Sequence, residues 1–117
     1  MNNNLQSIDF KHLDSIANGD EAFKKELIGI FLEQIPEFVN NMGQFLIEKN
    51  LEKLAKEAHT AKSSVLIFGM ANTGKLLKEI QLLAENKNIK EIEPAVQQAI
   101  KELNQAKTEL KNKLKEG

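Results

Sequence analysis

The chain has 117 residues, enough for one hydrophobic core, and its composition of 41% hydrophobic and 28% charged residues is that of an ordinary globular domain. A net charge of −1 argues against nucleic acid and anionic membranes as partners, and the absence of cysteine excludes disulfides and thiolate metal sites. No apolar run approaches the roughly 18 residues of a membrane span, and the first residues do not resemble a signal peptide. We therefore expect a single cytoplasmic domain over residues 1–117.

Two amphipathic patterns occupy the first part of the chain. The first predicts a short helix over about Ile8 to Ala17, with Ser7 as its candidate cap, and Asn18-Gly19 ends it. Asp20 then caps a longer helix, whose apolar residues recur every three or four positions. Pro36 lies inside this second pattern. Because the apolar stripe keeps its phase across the proline, we predict one helix that is kinked there.

The third and fourth patterns are also helical. Asn50 caps the third, and its apolar stripe continues as far as Phe68. The segment Gly69–Gly74 predicts a turn, and Asn72 and Thr73 within it predict a new cap. Neither pattern alternates with the two-residue period of a strand.

The last pattern follows the polar break Asn86–Asn88. Because a proline is best tolerated near the start of a helix, Pro94 predicts that this helix begins between Lys90 and Pro94. Four long amphipathic helices with short connections pack as an antiparallel bundle. The prediction is thus an all-α, monomeric protein, an antiparallel four-helix bundle with a short additional N-terminal helix.

The third helix carries the main concentration of chemically useful side chains, Ala58-His59-Thr60-Ala61-Lys62-Ser63-Ser64. On a helical wheel, His59 lies at the boundary between the apolar stripe and solvent. The residue four positions on overhangs it, and Ser63 is too small to cover an imidazole. Lys56 and Lys62 lie three positions to either side, within reach of any group bound to the ring.

This arrangement suits a nucleophile that receives a phosphoryl group. A free imidazole is mostly neutral, and so nucleophilic, near pH 7. A bound phosphoryl group would add up to about two negative charges, which ammonium groups stabilise, and Lys62 is the better placed of the two. The sequence has no glycine-rich phosphate loop and no acidic cluster for magnesium, so another protein must supply the metal and the catalysis. We expect no cofactor or metal on this chain.

Two other function classes are disfavoured by the sequence. A di-metal bundle needs Glu-x-x-His on two helices, and neither His12 nor His59 follows a glutamate by three positions. A nucleic-acid binder would need a basic surplus or stacking aromatic residues. A helical adaptor or structural bundle, in which His59 is incidental, stays open as the alternative, and a fully buried His59 would exclude the carrier.

The segment around His59 resembles the histidine phosphotransfer (HPt) domain of multistep phosphorelays. The family pattern is roughly Ala-His-x-Leu-Lys-Gly-small, with a further glycine at the end of the helix. It is matched by Ala58, His59, Lys62, Ser64 and Gly69. The segment Leu27–Pro36 is similar to the family's Leu-apolar-x-x-Phe…Pro helix. Two positions depart from the pattern, Ser63 where glycine is usual and Ala61 where leucine is usual.

The resemblance implies a role for each of several residues. His59 would be the phosphoacceptor, Lys62 would steady the phosphoryl group, and Gln81 matches a glutamine that many members carry near the histidine. The hydroxyl of Ser63 is a further candidate to contact the imidazole or the phosphoryl oxygens. The candidate docking residues beside the histidine are Lys56, Leu66 and Ile67.

The implied partners are receiver domains of response regulators, a hybrid sensor histidine kinase, or both, with magnesium on the receiver only. The sequence leaves open whether the chain is free-standing or a module of a larger kinase. Met1 just before the first helix and Gly117 just after the last favour a free-standing protein.

Overall fold

The computed structural model describes residues 7–116, and the predicted helices are all present in the predicted order. They are α1 (Phe10–Ala17), α2 (Glu21–Ile47), α3 (Leu51–Ile67), α4 (Ala71–Glu85) and α5 (Ile89–Lys115). Helix α2 packs against α3 and α5, and α4 packs against the same two, which closes a four-helix bundle. Helix α1 lies against α2 and α3. The predicted all-α fold is confirmed, and residues 7–116 contain no strand.

Side-chain caps begin the first three helices. Each capping oxygen accepts the backbone N–H three residues on: Asp9 from His12, Asp20 from Phe23, and Asn50 from Lys53, at 3.0–3.2 Å. The prediction of Ser7 as the first cap, with the helix starting near Ile8, was wrong. Ile8 is buried in the core and lies two residues before the helix, which begins at Phe10. The N–H of Ser7 instead donates to the carboxylate of Glu109 at 2.8 Å.

The predicted start of α4 also needs correction. The helix begins at Ala71, with Met70 in the capping position and no side-chain cap. Asn72 and Thr73 therefore lie inside its first turn. Thr73 is 3% exposed and its hydroxyl donates to the carboxylate of Glu102 on α5, so it joins two helices and does not cap one.

Both prolines lie inside continuous helices. Pro36 falls within α2, as predicted, and the kink there stays a prediction. The predicted start of α5 at 90–94 was too late, because the helix begins at Ile89 and contains Pro94 in its second turn. A proline there removes one backbone donor without ending the helix.

Tight left-handed turns connect the bundle helices. Lys49, Gly69 and Lys87 have φ of 58°, 67° and 58°. The N–H of the residue after each one donates to the carbonyl five positions back, at 2.8–3.1 Å, which satisfies a carbonyl at the helix end. Turns this short place consecutive helices side by side and antiparallel.

The core is mainly aliphatic, with Phe31 and Phe68 stacked at a centroid distance of 4.4 Å. Helix α3 contributes several small buried residues to it, among them Ala58 and Ala61, both with no exposed surface. Small residues let helices approach closely, and Ala61 is fully buried where the family pattern usually has leucine. No helix in residues 7–116 is long and apolar enough to cross a membrane.

Candidate functional site

His59 lies on the exposed surface of α3, directly after the fully buried Ala58. The burial that would have excluded a carrier is therefore not found. The imidazole faces α4, where Nδ1 lies 3.4 Å from Oε1 of Gln81. The register of the α3–α4 pair thus brings together the histidine and the glutamine that the sequence singled out.

The contact favours one tautomer of the ring. The amide oxygen of Gln81 can only accept a hydrogen bond, so with the amide in this orientation the bond to His59 forms with the Nδ1–H tautomer. In a neutral imidazole the lone pair is then on Nε2, on the far side of the ring. The site presents a nucleophilic nitrogen away from α4.

The small residue above the histidine leaves the ring open. The hydroxyl of Ser63 donates to the backbone carbonyl of His59 at 3.4 Å, and not to the imidazole. Thr60 makes the same bond to the carbonyl of Lys56 at 3.1 Å. Both hydroxyls therefore bind the helix backbone in this structure.

Two lysines flank His59 on α3. Lys62 is half-buried and Lys56 is exposed. In the part of the chain that the structure describes, neither ammonium group has a hydrogen-bond or ion-pair partner. Both are available to an anion on the ring, because no internal carboxylate competes for them.

The candidate docking residues lie beyond the histidine towards the end of α3. Leu66 is 45% exposed and Ile67 is 38% exposed. Leu66 covers Gly74 on α4, where an added Cβ would lie 2.8 Å from the leucine Cδ2. An apolar surface thus starts two helical turns from His59, about 10 Å along the axis.

One polar neighbour of the site, Glu85, was not predicted from the sequence. Glu85 accepts a hydrogen bond from Nε2 of Gln81 at 3.0 Å. Its spacing of four from Gln81 on a helix was the available signal. Among residues 7–116, no group of three or more metal-ligating side chains is found.

Residues 26–113 match the family model of the Hpt domain, which is well over half of the chain. The chain belongs to the Hpt domain family. The family inferred from the sequence is confirmed, and the Hpt match includes α3, α4 and nearly all of α5.

This Hpt chain is 31% identical over 72 residues to a phosphorelay intermediate protein of Candida albicans. The match covers 62% of this chain and 39% of the relative, so the chain spans about two fifths of that protein's length. It also resembles the crystal structure of the HPT domain from a hybrid sensor histidine kinase of Shewanella, with a TM-score of 0.85. That match covers 97% of both chains at 18% identity, and it confirms the Hpt fold.

Proposed function

We propose that this chain is a phosphorelay intermediate, which accepts a phosphoryl group on His59 and passes it to another protein. The donor would be the phosphorylated aspartate of a receiver domain, or a histidine kinase, and the acceptor a second receiver. The observation that carries the proposal is the exposed imidazole whose Nδ1 is engaged by Gln81, which leaves Nε2 as the nucleophile. The family membership supports it.

Transfer from an aspartyl phosphate would proceed in line. Nε2 of His59 attacks phosphorus, the Nε2–P bond forms, and the P–O bond to the aspartate breaks, which returns a free carboxylate. Nδ1 keeps its proton and its bond to Gln81 throughout. Onward transfer reverses these events with the next receiver's carboxylate as the nucleophile.

The phosphoryl oxygens would be stabilised by this chain's own polar groups. Lys62 is the first candidate and Lys56 the second, and each exposed pair contributes up to about 1 kcal/mol. Rotation about χ1 of Ser63 would move its hydroxyl from the backbone carbonyl to a phosphoryl oxygen. The serine then supplies a donor that a glycine there lacks. Gln81 would hold the imidazole of His59 in place through its contact with Nδ1.

The chain would act as a carrier and not as an enzyme. Magnesium and the transition-state contacts would come from the receiver. We propose that the receiver docks along α3 on both sides of His59, on the apolar surface of Leu66 and Ile67 two turns after it and on Lys56 one turn before it. Residues 1–117 would act as one monomeric, cytoplasmic domain.

A transfer assay tests the proposal. The chain is incubated with a receiver carrying radiolabelled aspartyl phosphate, and acid-labile label on the chain is measured. We expect label on the wild type and on His12→Gln, the matched control with the other histidine removed, and none on His59→Gln. If the wild type stays unlabelled with every cognate receiver, the carrier proposal fails and the chain is a helical adaptor.

A further inference from the structure

A short chain of hydrogen bonds leads from His59 to a carboxylate. Gln81 places Oε1 against Nδ1 of the imidazole and donates from Nε2 to Oε2 of Glu85. Glu85 lies one turn further along α4 and is exposed. Within residues 7–116 its carboxylate has no ion-pair partner, so Gln81 is the group that it holds.

The two ends of the Gln81 amide have opposite polarity, so its orientation decides which proton the imidazole carries. A carboxylate only accepts, and therefore draws the NH₂ end towards Glu85 and turns the oxygen towards His59. If the amide were reversed, its oxygen would face the carboxylate and its NH₂ would donate to Nδ1. The imidazole would then carry its proton on Nε2 and lose the outward lone pair.

The geometry points to Glu85 as a positioning residue, which selects the Nδ1–H tautomer of His59 by fixing the orientation of the Gln81 amide. This inference rests on the proposed function for its purpose, because an outward lone pair on Nε2 matters only if that nitrogen is a nucleophile. Glu85 touches neither the ring nor a phosphoryl group. Its effect is on the fraction of molecules in which His59 is the Nδ1–H tautomer.

Two substitutions separate this role from general support of the helix. In Glu85→Gln the new amide can donate or accept, so it tolerates both orientations of Gln81. We expect the ratio of the Nδ1–H to the Nε2–H tautomer to fall about twofold, as suits an exposed pair at this spacing. In Glu85→Lys the ammonium donates to the amide oxygen of Gln81 and turns its NH₂ towards His59. We expect this variant to invert the ratio.

The measurement is the pair of imidazole ¹⁵N chemical shifts of His59 in the full chain, recorded on the alkaline plateau of their titration, where the ring is neutral. Glu79→Gln is the matched control, because Glu79 is exposed on the same helix and its carboxylate has no hydrogen-bond or ion-pair partner among residues 7–116. It removes the same charge and should leave both shifts unchanged. Circular dichroism confirms that each variant stays folded.

The inference is overturned if wild-type His59 is mainly the Nε2–H tautomer, or if both Glu85 variants give the wild-type shifts. It is also overturned if Glu79→Gln changes the ratio as much as Glu85→Gln, since a general charge effect would then explain the result. The tautomer ratio needs no receiver. A chain that shows the expected shifts but accepts no label from any receiver keeps this inference and loses the proposed function.

Discussion

Substituting Gly69 by alanine tests how closely the end of α3 packs against the start of α1. Gly69 has φ of +67°, and an added Cβ would lie 2.5 Å from Cβ of Asp9 and 3.1 Å from Cβ of His12. Asp9 is held there because its N–H donates to the carbonyl of Phe68 at 3.0 Å. The side chain of an alanine therefore has no room unless the start of α1 moves away.

The expected loss of stability has two parts. Alanine in the left-handed region costs about 1–2 kcal/mol, of which about 0.5–1 kcal/mol is offset because alanine restricts the unfolded chain more than glycine does. Relief of the overlap costs a further 1–3 kcal/mol, roughly, including about 1 kcal/mol for the bond from Asp9 to Phe68. We expect Gly69→Ala to lower the free energy of unfolding by about 1–4.5 kcal/mol.

Chemical denaturation measures this loss, and two other glycines serve as matched controls. Gly19 has φ of +81° and no atom within 4 Å of an added Cβ, so Gly19→Ala should show the backbone cost alone. Gly29 lies within α2 and is equally open, so Gly29→Ala should stabilise the protein by about 0.5–1 kcal/mol. If Gly69→Ala costs no more than Gly19→Ala, the contact between α1 and the α3–α4 turn does not exist as described.

Two further predictions concern the turns and the proposed docking surface. Lys49→Gly and Lys87→Gly should each raise the free energy of unfolding by about 0.5–1 kcal/mol, because both lysines have φ of 58°; a loss of stability on denaturation would contradict the left-handed turns. Leu66→Ser should slow transfer from a phosphorylated receiver about fivefold, since burying the exposed half of a leucine is worth about 1 kcal/mol. Ile89→Ser is its control, because Ile89 is 49% exposed at the start of α5, beyond the opposite end of α4 from Leu66; equal slowing by both would place the docking surface elsewhere.

Most of the fold follows from local sequence. The caps Asp20 and Asn50 were found because a short polar side chain directly precedes an apolar repeat, and both bonds span only three residues. The wrong cap predictions concern residues whose hydrogen-bond partners are distant in the sequence. Thr73 bonds to Glu102, 29 residues away, and the backbone of Ser7 bonds to Glu109, 102 residues away. Partners this distant leave no local pattern, so a polar residue near a helix start was taken for a cap.

The candidate site likewise has one part that local sequence predicts and another that depends on how the helices pack. The exposure of His59 beneath Ser63 follows from the period of one helix, and the sequence predicts it. Gln81 was predicted from the family resemblance and not from its spacing, because its distance to the histidine depends on the register between α3 and α4. The bond from Gln81 to Glu85 could have been inferred from spacing, but its importance could not. It becomes visible only when the other end of the same amide is seen against the imidazole.

The tight turn between α3 and α4 also has a consequence for the order of folding. His59 and Gln81 are 22 residues apart, in two helices joined by residues 68–70 alone. Closing so short a loop costs little entropy, whereas the bond from Ser7 to Glu109 waits for the two ends of the chain to meet. We expect the α3–α4 hairpin to form before the termini join. Substitutions in α1 or at the end of α5 would then change the lifetime of the native state and leave the contact between His59 and Gln81 intact.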